Sequence, residues 1–374
     1  MNNSKPPKIL ELTTHLNVGG ISTYIFESAA ELQKNGFEIC VLSAGGELEG
    51  LFAEHGIRTV SFPFRTKSIL SPRLWSCFPK ILKFVREEKF DCIHAHTRVT
   101  QVLAHFLSFL SGVPYVSTSH GFYRRRFGRK IFPSWGRRVI AISSLVAEEL
   151  EKTHEVAHSK IRVIFNGLNV AGRRKKILEQ NPSEIRRKLG IPENSFVIGS
   201  ISRLVEDKGH RYLVEAVGKL KKKFPQVFLL IVGEGREKAA LERLAKKAGL
   251  EKQSLFIASA VDISEFLSVM DVFVHPATFR EGFGLAMLEA MIAKVPVIAT
   301  NIWSINTILR DRINGFLVEP KNASAIEEAL RFVIQTPEMA GEVAQNAYEL
   351  AAQNYSVERM AREMGTVYKE VIRK

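Results

Sequence analysis

Cysteine is scarce in this 374-residue chain, and long apolar runs are missing. The three cysteines, Cys40, Cys77 and Cys92, are scattered without metal-ligand spacing, which argues against a disulfide framework and favours a reducing compartment. No apolar run reaches the ~20 residues that a spanning helix needs, because polar residues and a proline interrupt the stretch 102–116. The N-terminal residues also lack the apolar region of a signal peptide. These absences favour a globular protein of the cytoplasm.

Acidic residues are missing from one long segment. The stretch from Cys92 to Ala147 contains no Asp or Glu, and the whole chain carries a formal net charge of +14. This segment combines basic and aromatic residues: Arg98, Arg124, Arg125, Arg126, Arg129, Lys130, Arg137 and Arg138, with Phe122, Tyr123, Phe127, Phe132 and Trp135. Such a loop suits an anionic membrane or an anionic acceptor, and a solvated basic loop or a nucleic-acid contact is the alternative. We expect the five basic residues between 124 and 130 to contact membrane or acceptor, and no nucleic-acid partner.

Apolar strand-like runs alternate with amphipathic helical patterns from end to end. The first series runs from Ile9–Thr14 to Ile161–Phe165 and the second from Phe196–Ile201 to Phe316–Val318. Near-continuous apolar strands that alternate with helices indicate parallel sheets covered on both faces. The sequence therefore predicts an α/β protein with two tandem doubly wound, Rossmann-like domains that face each other across a cleft.

The domain boundaries follow from a break in this alternation. We expect a first domain over 1–168, a linker over 169–194 that ends in a polar helix, and a second domain over 195–355. A C-terminal helix, about 356–374, is expected to pack back on the first domain. Ligands of such sheets bind at the carboxyl ends of the strands, which places the expected site in the cleft.

The most informative block is a loop with two glycines between two carboxylates. It reads Arg280-Glu281-Gly282-Phe283-Gly284-Leu285, and Glu289 follows eight residues after Glu281. The glycines permit close backbone approach to a ligand, and a helix that begins near Gly284 offers unpaired N–H groups to a phosphate. The block resembles the E-x7-E signature of retaining GT-B glycosyltransferases of family 4. The resemblance covers essentially the whole chain.

The resemblance assigns roles to several residues of the expected second domain. Arg203 and Lys208, in the run Arg203-Leu204-x-x-x-Lys208-Gly209, would grip the donor diphosphate and stabilise its charge as it leaves. Glu281 would contact the transferred sugar and steady positive charge at its anomeric carbon, and Glu289 would bind the ribose. The expected donor site also includes Gly233, Gly282, Phe283, Gly284 and Leu285.

In the expected first domain the resemblance concerns a glycine pair and a histidine. Gly19-Gly20 resembles the family's loop that approaches the donor phosphate. His120 aligns with a histidine near the transferred sugar, and it completes the expected catalytic set of Glu281, His120, Lys208 and Arg203. A metal site formed by His94, His96 and His120 is an alternative, but His-x-His is common at this strand end in relatives without metal. No Asp-x-Asp occurs in the chain, so we expect neither a metal nor another cofactor.

Two positions depart from the family pattern. Asn169 stands in place of the usual aspartate at the end of the first domain, where the role is structural. More importantly, Trp303-Ser304-Ile305-Asn306-Thr307 replaces the usual Gly-Gly-x-Pro-Glu, so that donor binding on that side must differ. An inactive, nucleotide-sugar-binding homologue is therefore an alternative. A nucleotide-sugar epimerase is a second alternative, because it can share this two-domain architecture.

The function that we expect is a retaining transfer of a sugar from a nucleotide-diphosphate sugar to a lipid-linked or other envelope glycan. The basic segment implies an anionic membrane as partner. We expect the enzyme in the cytoplasm, peripheral on the inner face of the cytoplasmic membrane.

Overall fold

The computed structural model describes residues 5–123, 129, 132–260, 262–279 and 281–373. Internal contacts divide the chain into two compact units. The first unit comprises Met1–Gly167 together with Val357–Lys374, and the second comprises Leu168–Ser356. The chain thus leaves the first unit, builds the whole of the second, and returns to the first with its last helix.

The first unit is built on a parallel sheet whose described strands have the order β3-β2-β1-β4-β5-β6-β7. The strands are β1 (Lys8–Leu12), β2 (Glu38–Ser43), β3 (Arg58–Ser61), β4 (Cys92–Ala95), β5 (Tyr115–Ser119), β6 (Arg138–Ala141) and β7 (Ile161–Val163). Its helices are Gly20–Lys34, Glu49–Glu54, Pro72–Glu88, Arg98–Ser111, Ser144–Lys152 and Val357–Ile372, with a 3-10 turn at His158–Lys160.

The second unit has a parallel sheet with the order β10-β9-β8-β11-β12-β13 in the described part of the chain. The strands are β8 (Phe196–Ile201), β9 (Val227–Val232), β10 (Ser254–Ile257), β11 (Val272–His275), β12 (Val297–Thr300) and β13 (Phe316–Val318). Its helices are Val170–Leu178, Pro182–Leu189, His210–Leu220, Lys238–Lys247, Ser264–Val269, Leu285–Ile292, Trp303–Asn306, Ala323–Gln335 and Pro337–Asn354, with a 3-10 turn at Glu206–Lys208.

Central strands are apolar because helices cover both of their faces. Every residue of β9 is buried, and β1, β4 and β5 are buried along their whole length. Helix His210–Leu220 covers one face of the second sheet with Leu213, Val217 and Leu220, which are spaced at helical periodicity and fully buried. The predicted pair of doubly wound α/β folds is confirmed.

The segment 169–194 contains more helix than the sequence suggested. Helix Val170–Leu178 forms there, although its run of four basic residues gives no apolar periodicity. Asn169 caps it by accepting from the backbone N–H of Gly172 at 2.8 Å. Arg174 donates to the carbonyl of Ala293 at 2.6 Å, which ties the helix to the second unit. Capping and side-chain pairing thus stabilise a helix that composition alone did not indicate.

Each sheet has a switch point where the strand order reverses, between β1 and β4 in the first unit and between β8 and β11 in the second. Loops that leave the carboxyl ends of two such strands diverge, and the crevice between them is where ligands of these sheets bind. In the second unit Arg203 and Lys208 follow β8, and Glu281 follows β11. In the described part of the chain, no helix combines the length and the apolar character needed to cross a membrane.

Candidate active site

The loop after β8 carries the two cations that the sequence assigned to the donor diphosphate. A single 3-10 turn, Glu206–Lys208, places Lys208 near the end of the sheet and is followed by Gly209 with φ of 67°. A Cβ atom on Gly209 would lie 1.9 Å from the carbonyl oxygen of Pro276. Only glycine permits both this left-handed backbone and this contact, so Gly209 packs the Lys208 loop against the loop after β11.

Glu281 is the centre of a charged cluster at this switch point. Its Oε2 forms an ion pair with Nζ of Lys208 and lies 3.1 Å from Nε2 of His275. Its Oε1 accepts from the backbone N–H of Gly282 at 3.1 Å, and its own backbone N–H donates to Oγ of Ser304 at 3.2 Å. The structure therefore brings together two of the predicted catalytic residues, Lys208 and Glu281, and adds His275.

The cluster holds Glu281 in its ionised form. Burial alone would raise the pKa of this carboxyl, but His275 and Lys208 more than offset burial and hold the pKa well below its usual range. Beside them, burial together with the charges of His275 and Lys208 lowers the pKa of His210 to about 3. The ring of His210 lies 3.1 Å, Nε2 to Oγ, from Ser202. At neutral pH the site therefore contains an anionic Glu281 and a neutral His210.

Arg203 differs from Lys208 in having no carboxylate partner. Arg203 is exposed, and its guanidinium forms no ion pair or hydrogen bond with any residue that the structure describes. The loop that carries it is supported from behind by the turn after β9. A Cβ atom on Gly233 would lie 1.9 Å from the carbonyl oxygen of Ser202, and one on Gly235 would lie 2.1 Å from that of Leu204. Gly233 thus supports the Arg203 loop through close backbone packing.

Helix Leu285–Ile292 begins immediately after the glycine-containing loop. Its N-cap is Gly284, whose φ of 84° favours glycine, and the N–H groups of the first turn have no partner within the helix. Phe283 is buried and packs edge-on against Tyr355 with ring centroids 5.3 Å apart. Only the backbone of Phe283 is therefore available to a ligand, whereas Gly282 and Leu285 remain partly exposed.

Glu289, the second carboxylate of the signature, is not an open side chain. One of its oxygens lies 2.5 Å from the guanidinium of Arg173, in an ion pair whose side chains are mostly buried. Arg173 comes from the helix Val170–Leu178 and was not among the predicted site residues. The only signal for it in the sequence was the basic run 173–176.

Trp303 and Ser304, which stand in place of the family's usual Gly-Gly, lie directly beside Glu281. Ser304 accepts the backbone N–H of Glu281, and Trp303 begins the short helix Trp303–Asn306 with 64% of its surface exposed. Phe279, just before the glycine loop, is also 60% exposed. The chain therefore places two exposed aromatic residues next to the glycine loop.

The first unit has its own switch point, where the glycine pair and the histidines lie. Helix Gly20–Lys34 begins at Gly20 with Gly19 as N-cap, and a Cβ atom on Gly19 would have no neighbour within 4 Å. The backbone at Gly19-Gly20 is exposed and open to a ligand.

His94, His96 and His120 lie close together, and the side chain of Glu11 contacts His94 and His96. Nε2 of His96 lies 2.5 Å from Oε2 of Glu11, and Nδ1 of His96 lies 3.0 Å from Nε2 of His120. Nδ1 of His94 lies 2.7 Å from the hydroxyl of Tyr368, which donates to Oε1 of Glu11 at 2.9 Å. Glu11, His94 and His96 are completely buried, and His120 is partly buried.

A metal ion bound by Glu11, His94 and His96 would need ligand atoms farther apart than those of Glu11 and His96 are. Ligand atoms of Glu11, His94 and His96 lie within 4.8 Å of one another. Two ligands of one tetrahedral metal ion at ~2.1 Å bond length would be about 3.3 Å apart. The 2.5 Å separation of Glu11 and His96 is instead that of a short hydrogen bond. The contacts therefore describe a hydrogen-bond network.

Comparisons with known proteins assign both units of the chain to one group of proteins. The description Glycosyltransferase Family 4 matches residues 18–171, and Glycosyl transferases group 1 matches residues 181–350. The chain belongs to glycosyltransferase family 4. It is accordingly a glycosyltransferase of the GT-B type, as the sequence predicted.

Relatives of this glycosyltransferase cover almost its full length. It is 26% identical to an uncharacterised glycosyltransferase of Methanocaldococcus jannaschii over 97% of this chain and 95% of that protein. It is 28% identical to the Escherichia coli UDP-Gal:alpha-D-GlcNAc-diphosphoundecaprenol alpha-1,3-galactosyltransferase over 75% of each chain. Anabaena HepE in complex with UDP and glucose has the same fold, with a TM-score of 0.84, 24% identity, and coverage of 97% of this chain and 100% of that chain.

The basic segment of this family 4 enzyme departs from the sequence prediction. Arg124, Arg125, Arg126 and Lys130 lie outside the described residues. Arg129 is only 8% exposed, because its guanidinium stacks over Tyr123 and Trp135 at 4.3 and 4.6 Å from the ring centroids. The expectation that Arg129 faces a membrane or acceptor is therefore wrong, since its cation is covered by aromatic rings.

Neighbouring cations of the segment are also engaged within the first unit. Arg138 forms an ion pair with Glu370, and Arg137 donates to the carbonyl of Val371 at 3.0 Å. Trp135, one of the aromatic residues of this segment, is only 7% exposed. In the described part of the segment, these basic residues therefore hold the last helix and the aromatic core of the loop.

Proposed function

We propose that the second unit binds a nucleoside-diphosphate sugar with Arg203, Lys208 and the start of helix Leu285–Ile292. The ion pair between Lys208 and Glu281 supports this proposal most directly. Lys208 is paired with Glu281, whereas Arg203 has no partner among the described residues. These two cations suit a diphosphate, since a dianionic ligand attracts both of them. Arginine offers a planar fork to phosphate oxygens and lysine a mobile point charge.

The same residues explain how the bond to the sugar is broken. As the sugar–phosphate bond lengthens, negative charge grows on the diphosphate, where Lys208 and Arg203 stabilise it. Positive charge grows at the anomeric carbon, where the ionised Glu281 stabilises it. His275 keeps this carboxylate oriented through its 3.1 Å contact. We propose that transfer retains the anomeric configuration, as in the retaining family that the chain resembles.

Replacement of Lys208 tests this assignment. Lys208→Ala is expected to lower turnover by about 10²–10³, as loss of one transition-state charge contact does. The matched control is Lys219→Ala, which removes an exposed lysine of the same unit that donates to Ser324. Turnover is measured with the donor that gives the largest thermal shift in a panel of nucleotide sugars. Equal activity of the two variants would rule out Lys208 as the phosphate ligand.

We further propose that no metal takes part in transfer. The proposal rests on Lys208 and Arg203, which supply the positive charge that a divalent ion supplies elsewhere, and on the missing Asp-x-Asp motif. Activity should survive dialysis against EDTA. Loss of transfer on EDTA treatment, with recovery on addition of Mg²⁺ or Mn²⁺, would contradict the proposal.

For the acceptor we propose a lipid-linked saccharide or a related envelope glycan at the inner face of the cytoplasmic membrane. The E. coli relative is named for a diphosphoundecaprenol acceptor, which supports a lipid-linked substrate. The first unit also exposes large apolar side chains, Leu70 and Phe109, at 79% and 80%. An anionic membrane would attract the basic residues at 124–126, with each contributing ~1 kcal/mol near the surface.

Vesicle co-sedimentation tests the membrane part of the proposal. The variant changes Arg124, Arg125 and Arg126 to serine, and the control changes Lys221, Lys222 and Lys223 to serine, with the same loss of charge. We expect the first variant alone to lose binding to anionic vesicles. Binding of the wild type should weaken with salt, because exposed charges are screened within ~8 Å at physiological ionic strength. Equal binding to neutral and anionic vesicles would favour a soluble anionic acceptor.

A further inference from the structure

The buried cluster around Glu11 is not explained by donor binding, because it lies in the first unit and includes residues outside the predicted site. Strands β1 and β4 bring it together, with Glu11 and His94 as direct neighbours in the register of these two strands. The helix Val357–Ile372 adds Tyr368, which is completely buried. The cluster ends at His120, the residue that the family resemblance places near the transferred sugar.

The charge state of the cluster follows from its contacts. Glu11 is an ionised carboxylate: burial alone would raise its pKa, but the neighbouring His94 and His96 hold the pKa well below its usual range. Burial and the proximity of His94 lower the pKa of His96 to about 4. Burial, with His96 and His94 nearby, also lowers the pKa of His120 well below its usual value. At neutral pH Glu11 is therefore an anion, and the rings of His96 and His120 are neutral, each with a single N–H.

The position of each proton can then be assigned by counting donors and acceptors. A carboxylate only accepts, so His96 carries its proton on Nε2, which lies 2.5 Å from Glu11. Its Nδ1 is then a bare acceptor. Because Nε2 of His120 lies 3.0 Å from that Nδ1, the proton of His120 must be on Nε2. Nδ1 of His120 is left with a lone pair.

Aromatic packing fixes the direction of that lone pair. The ring of Tyr24 packs edge-on against His120, with centroids 4.8 Å apart and planes at 84°, and it also contacts His96 at 5.7 Å. No described residue forms a hydrogen bond with Nδ1 of His120. The ring is held in place, and one acceptor atom remains available.

We propose that Glu11 is a positioning residue that acts through His96 to fix the tautomer of His120, so that His120 presents Nδ1 as a hydrogen-bond acceptor to a substrate hydroxyl. This inference rests on the proposed function for the identity of the substrate. It extends that function in two ways. It names Nδ1 of His120 as the atom that accepts a hydrogen bond from the substrate hydroxyl, and it names Glu11 as the buried carboxylate that determines which nitrogen of His120 carries the proton.

A second branch of the cluster supplies the control. Thr118 donates to Nε2 of His94 at 2.7 Å, Nδ1 of His94 donates to Tyr368, and Tyr368 donates to Oε1 of Glu11. This branch shares Glu11 but does not include His96. Tyr368→Phe therefore removes one hydrogen bond from the carboxylate without reversing the proton on His96 or His120.

Glu11→Gln should reverse the tautomers without changing the shape of the side chain. While Thr118 donates to Nε2 of His94, Nδ1 of His94 donates to Tyr368, so the hydroxyl proton of Tyr368 needs the amide oxygen as its acceptor. The NH2 group then faces His96. His96 must then accept at Nε2 and donate from Nδ1, which makes Nε2 of His120 an acceptor and places its proton on Nδ1. Every buried polar group keeps a partner in this arrangement.

The test is ¹⁵N NMR of histidine-labelled full-length enzyme, with the His120 signals assigned by their loss in His120→Asn. We expect the Nε2–H tautomer at His120 in the wild type and in Tyr368→Phe, and the Nδ1–H tautomer in Glu11→Gln. Glu11→Gln should lower kcat by about 10–100-fold, as loss of a positioning partner does, while the thermal shift with donor stays unchanged. Tyr368→Phe should keep kcat within about threefold.

Three results would overturn the inference: Nδ1–H at His120 in the wild type, an unchanged tautomer of His120 in a Glu11→Gln variant whose His94 signals still show Nδ1–H, or a reversed tautomer of His120 with an unchanged kcat. The wild-type spectrum decides the first point even if a variant fails to fold. The tautomer is measured without any assay of transfer, so a failure of the proposed function, seen as no transfer by the wild type, is distinguishable from a failure of this inference.

Discussion

At the scale of single residues, Trp303 offers a direct probe of the donor site. Its indole is 64% exposed next to Ser304, which holds the backbone of Glu281. Trp135 is buried and Trp75 partly buried, so their emission should respond little to a ligand in the second unit. We expect donor binding to shift the fluorescence of Trp303 to shorter wavelength, and Trp303→Gly to abolish the shift and weaken binding by about 1 kcal/mol.

The control for this prediction is Trp303→Phe, which keeps an aromatic face and should keep most of the affinity while losing the signal. Donor binding that stabilises the enzyme thermally but leaves Trp303 emission unchanged would show that the indole does not touch the ligand.

His210 gives a prediction of pH dependence. Its folded pKa is lowered to about 3, below the unfolded value near 6.5. Above pH 6.5 both states are neutral and no penalty arises. As pH falls towards 3, the unfolded chain binds a proton that the folded chain does not, so stability decreases. Between pH 7 and pH 5 this histidine should cost about 2 kcal/mol of unfolding free energy.

Urea unfolding of wild type and His210→Gln at the two pH values measures that contribution. The loss of stability from pH 7 to pH 5 should be smaller in the variant by about 2 kcal/mol. The control is His158→Gln, because the side chain of His158 is exposed and lacks the burial that lowers the pKa of His210. Identical slopes for all three proteins would show that His210 is not held neutral.

At this scale the sequence indicated residues that lie within recognisable motifs. Lys208 and Glu281 were assigned from two motifs 73 residues apart, and the structure pairs their side chains, whereas their roles in catalysis stay predictions. Arg173, Glu11 and Tyr368 were not predicted, because each meets its partner across a large separation in the sequence. Tyr368 is 357 residues from Glu11, and no spacing rule covers such a pair.

At the scale of elements, the Lys208 turn depends on Gly209. Gly209→Ala should be strongly destabilising, because the new Cβ would meet a positive φ of 67° and the Pro276 carbonyl at 1.9 Å. Gly249→Ala is the matched control in the same unit, with φ of 76° and no atom within 4 Å of the new Cβ. It carries only the left-handed backbone cost of about 1–2 kcal/mol.

The comparison separates backbone strain from the close contact. We expect Gly209→Ala to cost more stability than Gly249→Ala in denaturant titrations and to reduce donor affinity, since the Lys208 loop must move. Equal destabilisation with intact donor binding would show that the contact with Pro276 relaxes freely.

Elements with apolar cores were predictable, whereas polar elements were not. Strands Phe196–Ile201 and Phe316–Val318 were placed at their observed bounds, because burial makes these strands predominantly apolar. Helix Val170–Leu178 was missed, since it is held by a cap and by contacts with Glu289 and Ala293 that its own sequence does not reveal.

At the scale of the whole molecule, one unit is formed by a single stretch of chain and the other by two separate stretches. The second unit, 168–356, is one stretch of chain, whereas the first needs the helix Val357–Ile372 to complete the cluster around Glu11. We expect a fragment 168–356 to fold and to bind nucleotide, and a fragment 1–167 to remain poorly folded. Circular dichroism and nucleotide thermal shifts measure both outcomes.

Addition of a peptide spanning 357–374 should restore structure to the fragment 1–167, and the same peptide with Tyr368 and Met364 changed to serine is the control. A fragment 1–167 that unfolds cooperatively without the peptide would show that the last helix is dispensable for the first unit.

This division of the first unit has a consequence for translation. Domains generally fold in the order in which they leave the ribosome, at about 5–20 residues per second. Here the nascent N-terminal segment must wait while the entire second unit is synthesised, since Tyr368 emerges only after it. The later-made unit can therefore fold first, and a ribosome that stalls before residue 357 leaves a complete second unit attached to an unfinished first unit. Such stalled chains would be natural clients of chaperones and proteases.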